Sequence, residues 1–364
     1  MPSSSYDLKI NFENVGQGDA LVLEWPGKDN QTKIGIIDCN IIPDQKCPVQ
    51  ECLDQLNIRE IEFIILSHPH SDHFSGLLNL LTYCIENNIR IKRFYHTAAY
   101  SREFMTSLTV DEETFAQLIS ASVNTWKLKK ELSRLFLKLD ELHKGNSILD
   151  RANLLDYEKR IQVNEQIGIK VLSPYYYEES KKYISAVFRP DPKDTSKENN
   201  PKANLLSTVL EITHKEDDWS VLLTSDASKA SFRRISKEVN VSKLIFAQIP
   251  HHGSKYNHDA EFWLSIPHKS EIPVVMSVGR RYGHPHKEVV EFFQENFKEV
   301  HATNYVGGFQ AYFEEGDSFL RRVLADIPSI HRSSPSPHPK CGRKSVIIRS
   351  GGKVEILTED YPWD

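Results

Sequence analysis

Residues Ile64–Gly76 read Ile-Ile-Leu-Ser-His-Pro-His-Ser-Asp-His-Phe-Ser-Gly. Ile61 and Phe63 precede them, so an apolar run typical of a buried strand ends abruptly in polar residues. The metal-ligating residue types among them are His68, His70, Asp72 and His73. Imidazole nitrogens and carboxylate oxygens are ligands that zinc, manganese and iron accept. A polar loop rich in histidine by chance is the alternative, but because this one directly follows a buried strand we predict a metal site.

The composition is that of an ordinary soluble globular protein. The chain has 364 residues, of which 39% are hydrophobic and 26% are charged, enough for one large domain or two smaller ones. Its net charge of −5 argues against a uniformly basic nucleic-acid-binding protein but leaves room for a local basic groove. No apolar run approaches the ~20 residues of a membrane helix, and the N-terminus lacks signal-peptide features. We therefore expect a cytoplasmic protein without membrane association.

The cysteines fit a reducing compartment. There are five, an odd number without the spacing of paired motifs: Cys39, Cys47, Cys52, Cys84 and Cys341. This pattern indicates reduced thiols in the cytosol. Zinc ligation by Cys47 and Cys52 is the alternative, but no second cysteine pair completes such a site.

The chain is predicted to be one large domain, residues 1–325, with an insertion. Residues 100–166 carry apolar side chains at three- and four-residue steps among many charged ones, which is typical of amphipathic helices. For this helical insertion, a lid over the site, a docking surface for a protein partner and a plain structural elaboration all stay open. Residues 326–364 are predicted to be a linker followed by a C-terminal β-hairpin.

Three further predicted strands end in residues suited to metal or phosphate chemistry. Asp226 follows one apolar run, His251-His252 with Ser254 follows another, and His284 follows a third. Layered folds bring such loops together at one edge, where their sites lie. We therefore expect these residues to meet the Ile64–Gly76 stretch. The alternative for His284 is that it only caps the helix predicted after it.

Two aspartates near the N-terminus are candidates for a supporting role. Asp19 closes the Val15-Gly16-Gln17-Gly18-Asp19 interruption between two strands, and Asp38 ends the next buried strand. Metal-ligating histidines commonly donate their other ring N–H to a carboxylate, and either residue suits that role. For Asp19, the local sequence by itself favours a simple tight turn over this role.

Two metal ions ~3.5–4 Å apart would explain the collected residue types. A carboxylate such as Asp226 suits a bridging position, since each of its oxygens can bind one metal. Lys255, Arg280 and Arg281 lie beside the predicted site, where they would neutralise phosphate. Their alternative interpretation is as solvated loop residues.

The motifs and their order resemble those of a known superfamily. They are Val15–Asp19, Ser67–His73, Leu222–Asp226, His251–Ser254 and Tyr282–Pro285. Together they resemble the metallo-β-lactamase-fold hydrolases, and more narrowly the branch containing the C-terminal hydrolase domain of the bacterial competence DNA-uptake channel. Asn204 and Ser207 resemble that branch's Asn-x-x-Ser stretch. The resemblance spans about residues 7–313 and implies an α/β (α+β) fold, a four-layer αββα sandwich with a two-metal site at one edge.

The resemblance also implies roles for individual residues. His68 and His70 would hold one metal, Asp72 and His73 the other, and Asp226 would bridge them. His251 would join the second metal, because related branches show one histidine, a bulky residue and then Gly-Ser/Thr at this place. His252 is then left as a proton donor or phosphate contact, so the candidate catalytic residues are Asp72, His252 and His284. Two divalent ions are implied, with Zn²⁺ preferred and Mn²⁺ as the alternative.

One departure from the superfamily pattern concerns the first metal. Many members carry a further histidine ligand where this chain has Leu172-Ser173-Pro174-Tyr175. The metal of His68 and His70 is therefore expected to have an incomplete protein shell and to bind more weakly. His96 is a candidate substitute ligand, the alternative being an ordinary histidine at a strand end.

The sequence thus favours a metal-dependent phosphodiesterase or nuclease acting on DNA, RNA or a nucleotide. A second hypothesis keeps the site and changes the substrate to a lactone, thioester or phosphocholine-type ester, because a fold does not fix function. A third is a non-catalytic effector module that binds metal without turnover.

Overall fold

Two mixed β-sheets packed face to face, with helices on both outer faces, form the fold. A computed structural model describes residues 6–28, 31–97, 131, 134–135, 137–139, 141–143, 148–154, 159–175, 203–315 and 340–359. The apolar core between the sheets draws on strands of both. Each sheet also has an outer core between it and its helices: the first outer core on the first sheet and the second outer core on the second. This is the αββα sandwich predicted from the sequence.

Sixteen strands are found in the described part of the chain. In order they are β1 (Leu8–Phe12), β2 (Leu21–Pro26), β3 (Thr32–Ile37), β4 (Glu60–Ile61), β5 (Phe63–Leu66), β6 (Arg90–His96), β7 (Leu149–Leu154), β8 (Arg160–Gln162), β9 (Ile167–Ser173), β10 (Val209–His214), β11 (Ser220–Leu223), β12 (Leu244–Gln248), β13 (Pro273–Met276), β14 (Glu299–Ala302), β15 (Arg343–Arg349) and β16 (Lys353–Glu359). The first sheet has the order β16-β15-β1-β2-β3-β5-β6-β4, with β7 also pairing with β6. The second sheet has the order β14-β13-β12-β11-β10-β9-β8.

The α-helices of the two outer layers are short. They are α1 (Pro48–Gln55), α2 (Ser71–Phe74) and α3 (Leu77–Glu86) on the first sheet, and α4 (Lys229–Ile235), α5 (Ala260–Leu264) and α6 (Lys287–Asn296) on the second. Proline opens α1, where its missing N–H costs no hydrogen bond. The side chains of Ser228 and Asp259 accept backbone N–H groups at the starts of α4 and α5, which fixes where these helices begin. None of the described helices combines the length and the apolar character needed to cross a membrane.

Parallel strands in each sheet bring the predicted site residues to one edge. In the first sheet β3, β5 and β6 run parallel, and in the second β11, β12 and β13 do. The carboxyl ends of parallel strands meet on the same side, where ligands bind in open α/β sheets. Asp38 and His68 follow β3 and β5, and Asp226 and His251 follow β11 and β12, so the strand direction itself assembles the site.

The predicted helical insertion needs a correction. The described residues from 131 to 143 are helical, and Leu135, Leu139 and Leu142 pack into the first outer core. Residues 149–154 and 160–162, however, form β7 and β8, so the helical prediction is wrong there. Strand β7 pairs in parallel with β6, a long-range contact that local periodicity cannot show. Residues 100–130 lie outside the described part.

The predicted C-terminal hairpin is observed as β15 and β16, and β15 also pairs with β1. Arg343 of β15 donates a 2.8 Å hydrogen bond to the buried carboxylate of Glu13. The hairpin is therefore integrated into the first sheet. The predicted linker at 333–339 lies outside the described residues.

Candidate metal centre

Two clusters of metal-ligating side chains meet at this edge. One contains His68, His70 and Asp226, and the other contains Asp72, His73 and His252. Within each cluster the candidate ligand atoms lie within 4.8 Å of one another. The first sheet contributes the residues around α2, and the second contributes Asp226 and His252, so the centre forms only where the sheets join.

Asp226 lies between the two clusters. Its Oδ2 is 3.5 Å from Nε2 of His68, while its Oδ1 is 3.4 Å from Nε2 of His73 and 3.5 Å from Nε2 of His252. The side chain is buried, with 1% of the residue exposed. Each carboxylate oxygen therefore faces a different cluster, as a bridging ligand requires.

Three buried atoms at the centre make no hydrogen bond within the described part of the chain. They are Nε2 of His73, Nε2 of His252 and Oδ1 of Asp226. Buried polar atoms nearly always have a hydrogen-bond partner, so three such atoms without one call for an explanation. Because all three are ligand atoms that converge on one point, the residues fit a divalent metal ion there.

Hydrogen bonds at Nδ1 fix how His68 and His73 present their other nitrogen. Nδ1 of His73 lies 2.7 Å from Oδ2 of Asp38 and donates to it, so Nε2 is the nitrogen that faces the centre. The Ser67 hydroxyl donates to the same Asp38 carboxylate and therefore accepts from Nδ1 of His68, 3.1 Å away. Nε2 of His68 is thus held in the form that binds metal, and Nε2 of His73 is directed at the same centre.

The partners of His251 and His252 divide these neighbours into two roles. Nδ1 of His252 donates to the carbonyl oxygen of Ser277 at 2.8 Å, which leaves a lone pair on Nε2. Nδ1 of His251 instead faces the amide nitrogen of Asn204 at 3.3 Å and accepts from it, so Nε2 of His251 carries the proton. That Nε2 lies 3.3 Å from Oδ2 of Asp226. The sequence interpretation had His251 as the ligand and His252 as the proton donor, and this geometry favours the reverse assignment.

Asp38 and Asp19 lie behind the ligands, as the sequence suggested, but their contacts differ. Asp38 is fully buried, and its Oδ2 lies 2.7 Å from Nδ1 of His73. Oδ2 of Asp19 is 4.0 Å from that same Nδ1. Asp19 instead accepts from Nε2 of Gln248 at 3.0 Å, and its backbone N–H donates to the carbonyl of Asp72. The Val15–Asp19 loop thus supports the centre through its backbone and through Gln248.

Gly18 explains why this loop needs glycine. Its φ is +125°, and a Cβ atom there would lie 2.0 Å from the carbonyl oxygen of Asp72 and 2.5 Å from Nδ2 of Asn40. Only glycine allows so close an approach. The same Asn40 amide donates to the carbonyls of Val15 and Gln17 and holds the loop in place.

The electrostatics favour bound cations. Burial, helped by the neighbouring His73, lowers the pKa of His68 to about 3, so its ring is neutral. Burial also opposes protonation of His73, but the carboxylates of Asp226 and Asp38 outweigh it and hold its pKa well above the usual value. Despite its burial, Asp226 has a pKa well below the usual value because His251, His73 and His252 surround it. The centre therefore holds a carboxylate that is charged at neutral pH beside a His73 ring whose raised pKa means that a bound metal ion would displace its proton.

Strained backbone marks the same place. Asp38, Ser225, His251, His252 and Tyr282 all have positive φ values between 46° and 60°. Each such residue costs about 1–3 kcal/mol and persists only where the surroundings demand it. These are five of the nine non-glycine residues with positive φ in the described part of the chain.

The remaining predicted residues lie around the centre with different exposures. His284 is 7% exposed, and its Nδ1 donates to the carbonyl of His251 at 3.2 Å. It does not cap α6, whose N-cap is His286. Ser254 is buried in the turn after His252, and Lys255 is exposed and pairs with Glu288 at 3.0 Å.

Arg280 and Arg281 are exposed. Neither forms an ion pair with the described residues.

Sequence reasoning missed the buried polar residues that link the two sheets. Gln248 accepts from the backbone N–H groups of Thr224 and Ser225 while donating to Asp19, so one amide ties both loops together. Ser225 also donates to the hydroxyl of Ser67 at 2.9 Å. The available signal was a glutamine at the end of the apolar run Leu244–Ala247.

Other candidate ligands are not gathered into the described clusters. His96 belongs to none of them, and burial lowers its pKa to about 4. None of the five cysteines forms a disulfide among the described residues, and none of them joins a described metal cluster. A further group of Asp7, His214 and Asp217 has Nδ1 of His214 accepting the Asp217 N–H at 3.0 Å, so Nε2 carries the proton and cannot ligate.

A family model described as the metallo-beta-lactamase superfamily matches residues 15–121. The chain has a metallo-β-lactamase fold. Three solved structures resemble it. The metallo-β-lactamase-fold protein YhfI from Bacillus subtilis is 11% identical, with 81% of this chain and 96% of that chain covered and a TM-score of 0.41. Unliganded yeast PDE1 is 11% identical, with coverages of 83% and 98% and a TM-score of 0.45.

The third solved structure is a diphosphatase from the PhnP family, at 11% identity, coverages of 81% and 95%, and a TM-score of 0.40. The search of curated protein sequences found no match. The fold and its His/Asp clusters together indicate divalent-metal binding.

Proposed function

We propose that the chain is a two-metal hydrolase of phosphodiester bonds, with a nucleic acid or nucleotide as substrate. The observation that carries the proposal is Asp226, whose two oxygens face different clusters of candidate ligand atoms, with Nε2 of His73 and Nε2 of His252 unpartnered among the described residues. A two-metal centre suits the in-line displacement of a phosphodiester because it stabilises both the attacking and the leaving oxygens.

The proposed ligand sets follow from the hydrogen bonds at Nδ1. His68, His70 and Asp226 would hold one ion, and Asp72, His73, His252 and Asp226 the other. When bound, divalent ions at such a site supply Lewis-acid polarisation of a phosphoryl oxygen and a water of lowered pKa. Zn²⁺ suits the imidazole-rich donor set, with Mn²⁺ as the alternative.

The chain's own residues supply positioning and proton transfer. His251 presents a protonated Nε2 at the edge of the centre, oriented by Asn204, so it is the proposed proton donor to the leaving oxygen. His284 stands beside it, with ring centres 5.4 Å apart, and burial lowers its pKa to about 4. A neutral His284 can accept a hydrogen bond from the substrate at Nε2 and adds no positive charge beside the metal site.

The exposed guanidinium groups favour a phosphodiester over the other esters. Arg280 and Arg281 lack carboxylate partners among the described residues, and an Arg–phosphate contact can be bidentate. A lactone or thioester offers no phosphate to these charges, whereas a phosphocholine-type ester offers one phosphate beside a cationic choline. The resemblance of the motifs to the competence-channel hydrolase points to nucleic acid in particular.

The proposal is tested by turnover and metal content in matched variants. Asp226→Asn and Asp72→Ala should abolish hydrolysis of single-stranded DNA and of a chromogenic phosphodiester. Asp44→Asn is the control, because Asp44 is exposed, lies outside the clusters and has a φ of 65° that asparagine tolerates. Elemental analysis should give about two metals per chain, and assays with Zn²⁺ and Mn²⁺ should identify the active ion.

Full turnover in Asp226→Asn, or after chelation, would sink the proposal. Hydrolysis of lactones or thioesters without phosphodiester cleavage would favour the second hypothesis, and metal binding without turnover the third. A cytoplasmic location and a protein partner for the insertion at 100–166 stay predictions.

A further inference from the structure

Two tyrosines stand out at the rim of the metal centre. Among the large apolar and aromatic side chains of the described residues, Tyr282 (74%) and Tyr256 (73%) are the most exposed. Tyr256 follows the turn at Pro250–Gly253, which carries His251 and His252, and Tyr282 lies in the turn Arg281–Gly283. Rings so exposed contribute little to the core, so their position beside the centre needs another explanation.

Aromatic rings form a continuous row from these tyrosines to the centre. The ring centres of Tyr256 and His286 are 5.7 Å apart, and those of His286 and His284 are 5.0 Å apart. Tyr282 approaches His284 at 6.4 Å, and His284 in turn lies 5.4 Å from His251. A ligand held on the outer rings would therefore extend directly to Asp226.

The backbone holds Tyr282 outward at a cost. Its φ is 60°, a left-handed conformation that is unusual for a bulky residue. The next residue, Gly283, has a φ of 68°, and a Cβ atom added there would meet no atom within 4 Å. The turn therefore holds the exposed Tyr282 ring in a strained backbone conformation next to open space at Gly283. Strain of this kind is common at ligand-binding sites.

Positive charge accompanies the rings. Arg280 and Arg281 directly precede Tyr282 and have no ion pair with the described residues. Nζ of Lys255, which also pairs with Glu288, lies 5.7 Å from the centre of the Tyr256 ring. Aromatic faces interleaved with cations match a ligand that alternates bases and phosphates.

We propose that Tyr256 and Tyr282 form a base-stacking subsite for single-stranded nucleic acid. The bases flanking the scissile phosphodiester stack on these rings while the arginines contact the neighbouring phosphates. This inference rests on the proposed function and deepens it, because it selects a nucleic acid strand over a small phosphodiester. Base–aromatic stacking tolerates any sequence, so the subsite predicts little base preference.

The test compares two strands that differ only in their bases. Fluorescence anisotropy gives the Kd of the metal-loaded full chain for a labelled phosphorothioate strand of about twelve nucleotides, and for an abasic strand of equal length and charge. The wild type should bind the base-containing strand about five- to one-hundredfold more tightly. Tyr256→Ala and Tyr282→Ala should each reduce this ratio severalfold, while Tyr256→Phe and Tyr282→Phe should keep it.

Leu357→Ala is the surface control, since Leu357 is an exposed residue on β16, the strand at one end of the first sheet. A wild-type ratio near one, or an unchanged ratio in both alanine variants, would overturn the stacking subsite. Equal weakening of both strands would overturn it too, because it would show a loss of charge or shape rather than of stacking. Cleavage of an ordinary DNA strand is measured separately, so absent turnover would count against the proposed function and not against this ratio.

Discussion

Nδ1 of His252 donates a 2.8 Å hydrogen bond to the carbonyl oxygen of Ser277, whereas Nδ1 of the adjacent His251 accepts from the amide of Asn204. A carbonyl can only accept, and the amide nitrogen can only donate. Two neighbouring histidines are thereby held in opposite tautomers, one offering a lone pair to the centre and the other offering a proton.

This difference predicts opposite outcomes for two alanine variants. His252→Ala removes a ligand, so the affinity for one metal should fall at least about tenfold, by analogy with the sensitivity of such sites to lost partners. His251→Ala should keep both metals and lose about 10²–10⁴ in kcat, the usual contribution of a general acid. Metal titration by competition with a chelator, paired with kcat, separates the two, and the reverse pattern would restore the assignment made from the sequence.

The Asp38–His73 contact predicts a loss of metal affinity without loss of fold. In Asp38→Asn the charged acceptor for Nδ1 of His73 is replaced by a neutral amide, which also weakens the hydrogen bond from Ser67. Affinity for the metal at His73 should drop about 10–100-fold. Asp44→Asn serves as the control under the same calorimetric titration, and equal affinities in the two variants would argue against a supporting role for Asp38.

Gly18→Ala should disrupt both stability and metal binding. The added methyl group would collide with the backbone of Asp72, so the loop and α2 must separate. We expect a loss of more than about 2 kcal/mol in the free energy of unfolding, from strain plus overpacking. Gly351→Ala is the matched control, because Gly351 also has a positive φ but its Cβ would meet nothing within 4 Å. Urea denaturation should show the larger loss for Gly18→Ala, and equal losses would mean that backbone strain alone is responsible.

His258 predicts a pH dependence that does not involve the metal. Burial against Phe292 and Phe293, aided by Lys229, lowers its pKa to about 4 from 6.5. Since the folded pKa is depressed, the neutral ring stabilises the fold above pH 6.5, and this stability is lost as the pH falls towards 4.

The measurable quantity is the difference in unfolding free energy between the wild type and His258→Gln. It should shrink by about 1–2 kcal/mol between pH 7 and pH 4, allowing for the partial exposure of the ring. Urea denaturation of both chains in the presence of chelator gives this difference. A difference that stays constant with pH would show that the His258 proton does not couple to folding.

Much of the centre could be predicted from the sequence, because its ligands sit in a local pattern. Ile64–Gly76 places four candidate ligands in one short stretch, and Asp226 follows an apolar run. The sequence therefore predicts which residues lie at the ends of these strands. The roles of His251 and His252 could not be predicted from the sequence, because they depend on contacts with Asn204 and Ser277, which are distant in sequence. Strand β7 escaped for the same reason, since its pairing with β6 is a long-range contact.

The division of the centre between two sheets has a consequence for the life of the protein. Four candidate ligands come from the first sheet and two from the second. A bound ion would therefore link the two sheets and stabilise their packing. By mass action, an ion at a hundred times its Kd adds about 2.7 kcal/mol to folding. Metal supply would then govern how much folded chain a cell retains, quite apart from how fast that chain turns over substrate.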